Sequence, residues 1–355
     1  MRACLTAVQK GQRAGQAPFI TEDGTSGVYI LRSADDQPAA VFKPIDEEPF
    51  APNNPREMKG PFGSETCRPG VKSGESTIRE VAAYLLDNQG FSGVPATSLV
   101  EMSHENFVND PLEEKHVASA EHLDIISGMV NFQSEATASE SESLISKTGS
   151  LQKFVKSAGP IENYAPDRFS ADEVHKIAVL DMRICNLDRN ACNILVSEDK
   201  KSLIPIDHGL TLPDSLEVCT YDLAWLSFPQ ADEAFSQKTC DFIQQIDIDG
   251  DIEMLENTFK FRPECLRNMK ITSMLLKRAA ARGLTLTQIS QIFCRPDEDD
   301  TKQSLLENIV QKASLCSALK LRMKANIKDS LLDAPTDTSM VKSNSNNKLT
   351  KRGSF

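Results

Sequence analysis

The chain contains no apolar run that approaches the ~18 residues of a membrane-spanning helix. Residues 1–15 also lack the apolar stretch of a signal peptide, so neither a transmembrane nor a secreted protein is expected. The nine cysteines are scattered singly, and no two form a CxxC pair. That spacing excludes the common zinc motifs and a compact disulfide framework. We therefore expect a cytoplasmic protein with reduced thiols.

Positive charge is also scarce: 39 lysine and arginine residues face 51 aspartate and glutamate residues, for a formal net charge of −12. A general nucleic-acid binder needs a basic surface, so no nucleic-acid partner is expected. A local basic cluster can still contact an anionic lipid surface. The candidates are Lys270, Lys277, Arg278 and Arg282 on one predicted helix, and the C-terminal tail that contains lysine and arginine. For the helix, a plain solvated face is the alternative.

Hydrophobic spacing predicts an α+β fold, with a strand-rich first half interrupted by loops and a helix-rich second half. Strands are expected at 94–102, 193–196 and 203–206, and as a hairpin at 28–31 and 39–43. Helices are expected at 76–89, 171–186, 230–246, 251–260, 263–282, 285–293 and 301–324. Loops are predicted at 44–74 and at 103–148, which includes an acidic run at 134–143. The first ~20 residues show no clear pattern.

The strongest chemical pattern lies in LDMRICNLDRNACNILV, residues 180–196. Asp188 and Asn193 are five residues apart, the interval of the D-x-x-x-x-N loop that places an acid at an acceptor hydroxyl and an amide at magnesium. Asp207 follows an apolar strand in LIPIDHGL, fourteen residues after Asn193, where a carboxylate can bind a metal that bridges phosphates. Alone, each motif is more often a surface pair or a turn. Their order, and the hairpin between them, favour a catalytic and metal site.

Two further elements of an ATP site occur in the required order. Lys43 ends the apolar strand AVFK, and Glu80 lies on the next helix, so the pair can hold a nucleotide phosphate. The alternative is a solvated lysine and an exposed glutamate. A candidate turn over the phosphates consists of Gly24, Thr25, Ser26 and Gly27. By itself, a G-x-x-G pattern is weak evidence.

Five segments together resemble the phosphatidylinositol 3-/4-kinase catalytic domain, and most closely its type II and gamma phosphatidylinositol 4-kinases. They are VFKPIDEEP, GESTIREVAAYLLD, FSGVPAT, VHKIAVLDMRICNLDRNACNILV and LIPIDHGLTLPDS, and the resemblance covers residues ~20–325. It implies a two-lobed protein-kinase-like fold, with a strand-rich N-lobe at 21–150 and a mainly helical C-lobe at 151–327. Residues 1–20 are then an N-terminal extension, and residues 328–355 a disordered tail.

The resemblance also implies a reaction: transfer of the ATP γ-phosphate to the inositol 4-hydroxyl of phosphatidylinositol in a membrane surface, with Mg²⁺ or Mn²⁺. The protein would then meet its substrate as a peripheral membrane protein. The resemblance further implies that Lys43, held by Glu80, would contact the nucleotide phosphates. Asp188 would lie in the catalytic loop, which Arg189 would support. Asn193 and Asp207 would be the metal ligands.

One residue departs from the family pattern, since Cys192 stands where a glycine usually precedes the metal-binding Asn193. A side chain at a place of close backbone approach could perturb the loop, so a nucleotide-binding pseudokinase is one alternative. A serine/threonine protein kinase is another, because gamma members have also been assigned protein-kinase activity. The segment after Asp207 has no A-P-E anchor, which mildly favours the lipid acceptor over protein substrates.

Overall fold

The computed structural model describes residues 1–108, 146–296 and 301–317. The described residues up to 307 form one compact unit, and the described residues 308–317 belong to a second. The acidic run at 134–143 and the tail predicted at 328–355 lie outside the described residues. The helix predicted at 301–324 is described only as far as residue 317, with helical structure over 305–317. In the described part of the chain, no helix is both long and apolar enough to cross a bilayer.

Five antiparallel strands form the first sheet, in the order β1-β2-β3-β5-β4. They are β1 (Phe19–Ile20), β2 (Tyr29–Arg32), β3 (Pro38–Pro44), β4 (Thr97–Ser103) and β5 (Ser146–Lys153). Strands β2 and β3 confirm the predicted hairpin, with Ile30 opposite Val41. Strand β4 confirms the strand predicted at 94–102, although it begins three residues later.

The sequence does not predict β5, whose first residues fall in a stretch expected to be a loop. Its sequence SKTGSLQK has few β-prone residues, but pairing with β3 on one side and β4 on the other buries most of it. A Cβ atom on Gly149 would lie 2.4 Å from the carbonyl oxygen of Lys43, so glycine lets the two strands approach. Strand β5 continues to Lys153 and therefore crosses the boundary expected at residue 150.

Among the described residues, two helices pack against this sheet: α1 (Arg2–Arg13) and α2 (Ser76–Leu86). Helix α1 lies in the N-terminal extension, where the sequence shows no clear pattern, and it buries Cys4 and Val8 in a cluster with residues of the sheet. Helix α2 confirms the predicted helix and ends three residues early. It ends there because the Asp87 carboxylate accepts hydrogen bonds from three backbone N–H groups, at 92–94.

The described residues after β5 contain a three-stranded antiparallel sheet and, besides the helical stretch at 305–317, five α-helices. The strands are β6 (Ser157–Pro160), β7 (Ile194–Ser197) and β8 (Leu203–Pro205). The helices are α3 (Ala171–Arg183), α4 (Gln237–Gln245), α5 (Ile248–Thr258), α6 (Pro263–Ala280) and α7 (Leu286–Phe293). All were predicted except β6. Helix α4 begins seven residues later than expected, because the Ser236 hydroxyl caps it there by accepting the Thr239 N–H.

A shared core fixes α2 against the helices of the second half. Ile78 and Leu86 of α2 pack in one buried cluster with Leu180 of α3 and Met269 of α6. This packing sets the position of the site, because α2 carries Glu80, β3 carries Lys43 and the chain beyond α3 carries Asp188. The mixture of antiparallel strands and helices confirms the predicted α+β class.

Candidate active site

Lys43 lies at the centre of the candidate site. Its Nζ atom is 2.5 Å from Glu80 Oε1 and 3.1 Å from Asp207 Oδ1. Burial disfavours the charged ammonium, but Asp207 and Glu80 outweigh that effect and hold the pKa of Lys43 above its usual range. Burial alone would raise the pKa of Glu80, whereas Lys43 and His208 hold it well below its usual range. The predicted Lys43–Glu80 pair is therefore present, and both members are charged at neutral pH.

The backbone at Asp207 is in the left-handed region, with φ of 56°. Aspartate tolerates this conformation better than most residues, and here it directs the carboxylate back toward Lys43. The next residue donates its backbone N–H to Glu80 Oε2 at 3.0 Å. A Cβ atom on Gly209 would lie 3.1 Å from the Ser76 side chain. The D-H-G motif is thus a tight turn that joins the end of β8 to the helix carrying Glu80.

Hydrogen bonds within residues 186–193 define the position of Asp188. Its backbone N–H donates to Asn186 Oδ1 at 2.9 Å, and its backbone oxygen accepts from Asn193 Nδ2 at 2.9 Å. Asn190 Nδ2 donates to the Asp188 carboxylate at 3.1 Å. Burial, reinforced by the nearby charge of Asp207, raises the pKa of Asp188 even though Asn190 opposes the shift. Asp188 is therefore a stronger base than an exposed aspartate.

Arg189 does not face the candidate site, because its side chain is completely buried beneath the loop. It forms an ion pair with Asp181 of α3 and donates to the backbone oxygens of Asn193 and Ile206, at 2.7 and 2.6 Å. Sequence reasoning missed Asp181. The sequence does contain a clue to it: Asp181 lies four residues after Ile177, so this carboxylate falls on the apolar face of the predicted helix.

Cys192 does not disturb this loop. Its φ lies outside the left-handed region, its side chain is exposed, and its Sγ atom is 3.2 Å from Glu162 Oε2. The Asn190 side chain accepts the backbone N–H groups of Cys192 and Asn193, which closes the turn. The cysteine is therefore accommodated without the strain that the departure from glycine led us to expect.

The turn at residues 24–27 is held from below by Glu47. The backbone N–H of Gly27 donates to the Glu47 backbone oxygen at 3.0 Å, and Asn54 Nδ2 donates to the Thr25 oxygen at 2.8 Å. Glu47 is fully buried and pairs with Lys147 Nζ at 2.6 Å. A Cβ atom on Gly27 would lie 2.0 Å from Glu47 Oε2, so only glycine fits there. Sequence reasoning missed Glu47 and Lys147, because residues 100 apart share no local pattern.

A further buried acid, Glu48, fixes the start of α2. Its carboxylate accepts the backbone N–H groups of Gly74, Ser76 and Thr77 at 2.7–3.0 Å. These are donors that a helix start leaves without partners inside the helix, so Glu48 caps α2 from a distant part of the chain. The cap holds Glu80, one turn further along the helix, in register with Lys43.

One cleft brings together six of the ten predicted site residues. Those that line it are Thr25, Ser26, Lys43, Glu80, Asp188 and Asp207. Gly24 and Gly27 flank the turn above it, whereas Asn193 and Arg189 lie behind Asp188 and contact its loop. The cleft presents a cation for phosphate and hard oxygen ligands of the type that magnesium prefers. Since Asn193 Nδ2 is directed to the main chain, its amide oxygen is the atom suited to a metal. The residues present therefore fit ATP with a divalent metal.

Two of the basic residues considered for lipid contact make contacts within the protein. Lys270 forms a surface ion pair with Asp249 at 2.6 Å, and Lys277 donates to the Ile246 backbone oxygen at 2.6 Å. These contacts favour the simpler interpretation, a solvated helix face, for that part of α6.

Comparisons with known proteins agree with the geometry. The family model for phosphatidylinositol 3- and 4-kinase matches residues 30–289. Phosphatidylinositol 4-kinase gamma 3 of Arabidopsis thaliana is 37% identical over 331 residues, which cover 88% of this chain and 52% of that protein. Phosphatidylinositol 4-kinase gamma 4 of Oryza sativa subsp. japonica is 38% identical over 318 residues, with coverages of 85% and 49%.

The chain spans about half the length of the curated relatives it matches. The family match extends from β2 to α7 and includes Lys43, Glu80, Asp188, Asn193 and Asp207. The resemblance inferred from the sequence motifs is thereby confirmed, and the chain belongs to the phosphatidylinositol 3- and 4-kinase family.

Proposed function

We propose that this chain is an ATP-dependent phosphatidylinositol 4-kinase with a two-lobed fold. The first sheet with α1 and α2 forms the N-lobe, and the part from β6 onward forms the mainly helical C-lobe. The observation that carries the proposal is the single cleft in which Lys43 contacts both Glu80 and Asp207, with Asp188 in its wall. The choice of acceptor rests on relatives named phosphatidylinositol 4-kinase gamma.

In this proposal Lys43 binds the nucleotide phosphates and the turn at 24–27 covers them. Asp207 and Asn193 hold a divalent metal, which neutralises charge on the β- and γ-phosphates when it is bound. Asp188 orients the inositol 4-hydroxyl and accepts its proton as the oxygen–phosphorus bond forms. The bond between the γ-phosphorus and the bridging oxygen breaks, and ADP leaves. Arg189 acts from beneath by fixing the loop. Because the substrate is a membrane lipid, the protein works in peripheral contact with a bilayer.

The test is turnover of radiolabelled ATP with magnesium, with phosphatidylinositol vesicles and a protein substrate offered in parallel. Asp188→Ala should abolish labelling of the lipid and leave ATP binding largely intact, since Asp188 acts in the transition state. Asp207→Ala should abolish it through loss of the metal. Asp199→Ala, on the exposed turn after β7, is the control and should label normally. Label on protein alone would favour the serine/threonine kinase, and ATP binding without any turnover would favour the pseudokinase.

A further inference from the structure

A second cavity, of about 420 Å³, opens beside Asp188 and shares no lining residue with the nucleotide cleft. Its volume falls in the range of small-ligand sites. Leu187, the residue before Asp188, lies in its wall together with Arg68, Tyr221 and Asp222. A ligand in this cavity would therefore lie next to the candidate catalytic carboxylate, on the side away from ATP.

Arg68 bridges the two acids of this region. Its Nη1 atom is 2.9 Å from Asp222 Oδ1, and its Nη2 atom is 3.8 Å from Asp188 Oδ1. The second distance is longer than a hydrogen bond, so the contact with Asp188 is purely ionic. About a quarter of the Arg68 side chain is exposed, at 26%. The guanidinium carbon also lies 6.0 Å from the centre of the Tyr221 ring. Because its contact with Asp188 is loose, the guanidinium can take up a further anion and keep its ion pair with Asp222.

The main chain around Arg68 is fixed to the rest of the protein. The neighbouring Gly70 oxygen accepts hydrogen bonds from the Asp214 backbone N–H at 3.0 Å and from Arg262 Nη2 at 2.8 Å. The Thr66 hydroxyl donates to the Arg68 oxygen at 3.1 Å. These hydrogen bonds anchor the segment that carries the Arg68 guanidinium. The sequence predicted a loop over 44–74 but did not indicate this anchoring.

Asp222 fixes Arg68 at the edge of the cavity. It is 3% exposed, and its Oδ2 atom accepts the Cys219 backbone N–H at 2.9 Å. Its buried Oδ1 atom forms the ion pair with Arg68. The carboxylate therefore serves as the counter-charge that holds the guanidinium in place. The adjacent Tyr221 ring is 55% exposed and forms an apolar wall of the cavity.

We propose that Arg68 binds the phosphodiester in the head group of the acceptor, and that Asp222 positions the guanidinium for this contact. This inference rests on the proposed function and names a specificity-determining residue for it. The phosphodiester of phosphatidylinositol lies across the inositol ring from the 4-hydroxyl. With that hydroxyl at Asp188 and the ring in the cavity, the phosphate can reach Arg68, whose planar guanidinium matches phosphate oxygens in pairs. The enzyme thereby selects hydroxyl acceptors that carry a phosphate.

The test compares Arg68→Ala and Arg68→Lys with Lys72→Ala. Lys72 lies on the same loop, and its side chain forms a surface ion pair with Glu65 at 3.4 Å. In Arg68→Ala the KM for phosphatidylinositol vesicles should rise roughly ten- to a hundredfold, as expected for a lost charged hydrogen bond. The KM for ATP should stay within about twofold, which also shows that the variant is folded. Arg68→Lys should recover part of the loss, and Lys72→Ala should match the unmutated protein.

A binding measurement separates this inference from the proposed reaction. Calorimetry with glycerophosphoinositol and a non-hydrolysable ATP analogue should show binding that Arg68→Ala loses, and free myo-inositol should bind far more weakly. Normal lipid turnover with an unchanged lipid KM in Arg68→Ala would overturn the inference and leave the proposed function standing. A rise in the KM for ATP instead would place Arg68 at the nucleotide and also overturn it. If no lipid is labelled at all, the proposed function fails, and absence of glycerophosphoinositol binding then overturns the inference as well.

Discussion

Asp181 and Arg189 form an ion pair in which neither side chain is exposed to solvent. Arg189 Nε lies 3.0 Å from Asp181 Oδ2 and 3.2 Å from Oδ1. The carboxylate also accepts hydrogen bonds from Asn186 Nδ2 at 2.8 Å and Trp225 Nε1 at 3.0 Å. A buried pair of this kind adds little net stability, because desolvation offsets the attraction. Its consequence is geometric: Arg189 donates to the backbone beside both proposed metal ligands.

Replacing Asp181 with asparagine should therefore damage turnover more than nucleotide binding. The amide can keep some hydrogen bonds but cannot balance the buried charge of Arg189, so we expect a loss of about 3 kcal/mol in the free energy of unfolding. We also expect kcat to fall by at least about tenfold, with a smaller change in the KM for ATP. Denaturant unfolding and steady-state kinetics below the unfolding temperature measure the two effects.

The control for that variant is Asp241→Asn, an exposed carboxylate on α4 that contacts Gln237. It should change neither quantity appreciably. If Asp181→Asn is fully folded at the assay temperature and its kcat is unchanged, the ion pair between Asp181 and Arg189 does not position the loop that carries Asp188.

The fold and the site could be predicted where local spacing carries the information. The five-residue interval from Asp188 to Asn193 and the apolar strand before Asp207 are local patterns, and so is the amphipathic helix that carries Glu80. Strand β5 could not be predicted, because its order comes from pairing with β3 and β4 rather than from its own residues. The contact between Arg68 and Asp188 could not be predicted either, because the two residues are far apart in the sequence.

Helix α1 shows a different limit. Only Cys4, Val8 and Gly11 of its residues are buried, so its apolar face is too narrow to stand out in the sequence. A Cβ atom on Gly11 would lie 1.9 Å from the Arg32 backbone oxygen, which shows how closely the helix lies against β2. A glycine inside a helix is normally evidence against it. Here Gly11 permits the close contact between α1 and β2. This role cannot be recognised without the position of β2.

The glycine at position 27 should be essential for the turn over the nucleotide. In Gly27→Ala the new methyl group would collide with the Glu47 carboxylate, which Lys147 and Tyr29 hold in place. The turn must shift, so we expect the KM for ATP to rise by about tenfold or more, equivalent to ~1.4 kcal/mol of lost binding. Initial-rate kinetics at varied ATP and saturating lipid measure the effect.

Gly24→Ala is the matched comparison. Gly24 has a φ of 89° but no atom within 4 Å of an added Cβ, so the substitution brings strain without collision. We expect a cost of roughly 1 kcal/mol and a smaller change in the KM for ATP. An equal rise in the KM for ATP in the two variants would mean that contact with Glu47 does not determine the position of the turn at 24–27.

The charge of Glu80 should make stability depend on pH in acid. Burial disfavours the carboxylate, but Lys43 and His208 hold its pKa well below the usual 4.5, so the folded state binds its proton less readily than the unfolded state. The stabilisation is then complete above pH 4.5 and is lost as the pH falls below that value. The difference in free energy of unfolding between the unmutated protein and Glu80→Gln should therefore be largest near neutral pH and shrink in acid. Denaturant titrations over pH 3.5–7 measure it, and a difference that grew in acid would contradict the assignment.

The buried ion pair between Arg183 and Asp251 offers a matched test of stability away from the cleft. Arg183 also donates to the Leu86 backbone oxygen at 2.6 Å, so it joins the end of α2 to α3 and α5. Asp251→Ala leaves this buried guanidinium without its counter-charge, and we expect a loss of about 3 kcal/mol. Asp249 lies in the same first turn of α5, but its carboxylate is 80% exposed and forms a surface ion pair with Lys270, so Asp249→Ala should lose less than about 1 kcal/mol. Both variants remove one negative charge from the start of α5, so effects on the helix dipole largely cancel. Urea unfolding of the two proteins measures the difference, and similar losses in both would mean that Arg183 finds compensation by solvation when Asp251 is removed.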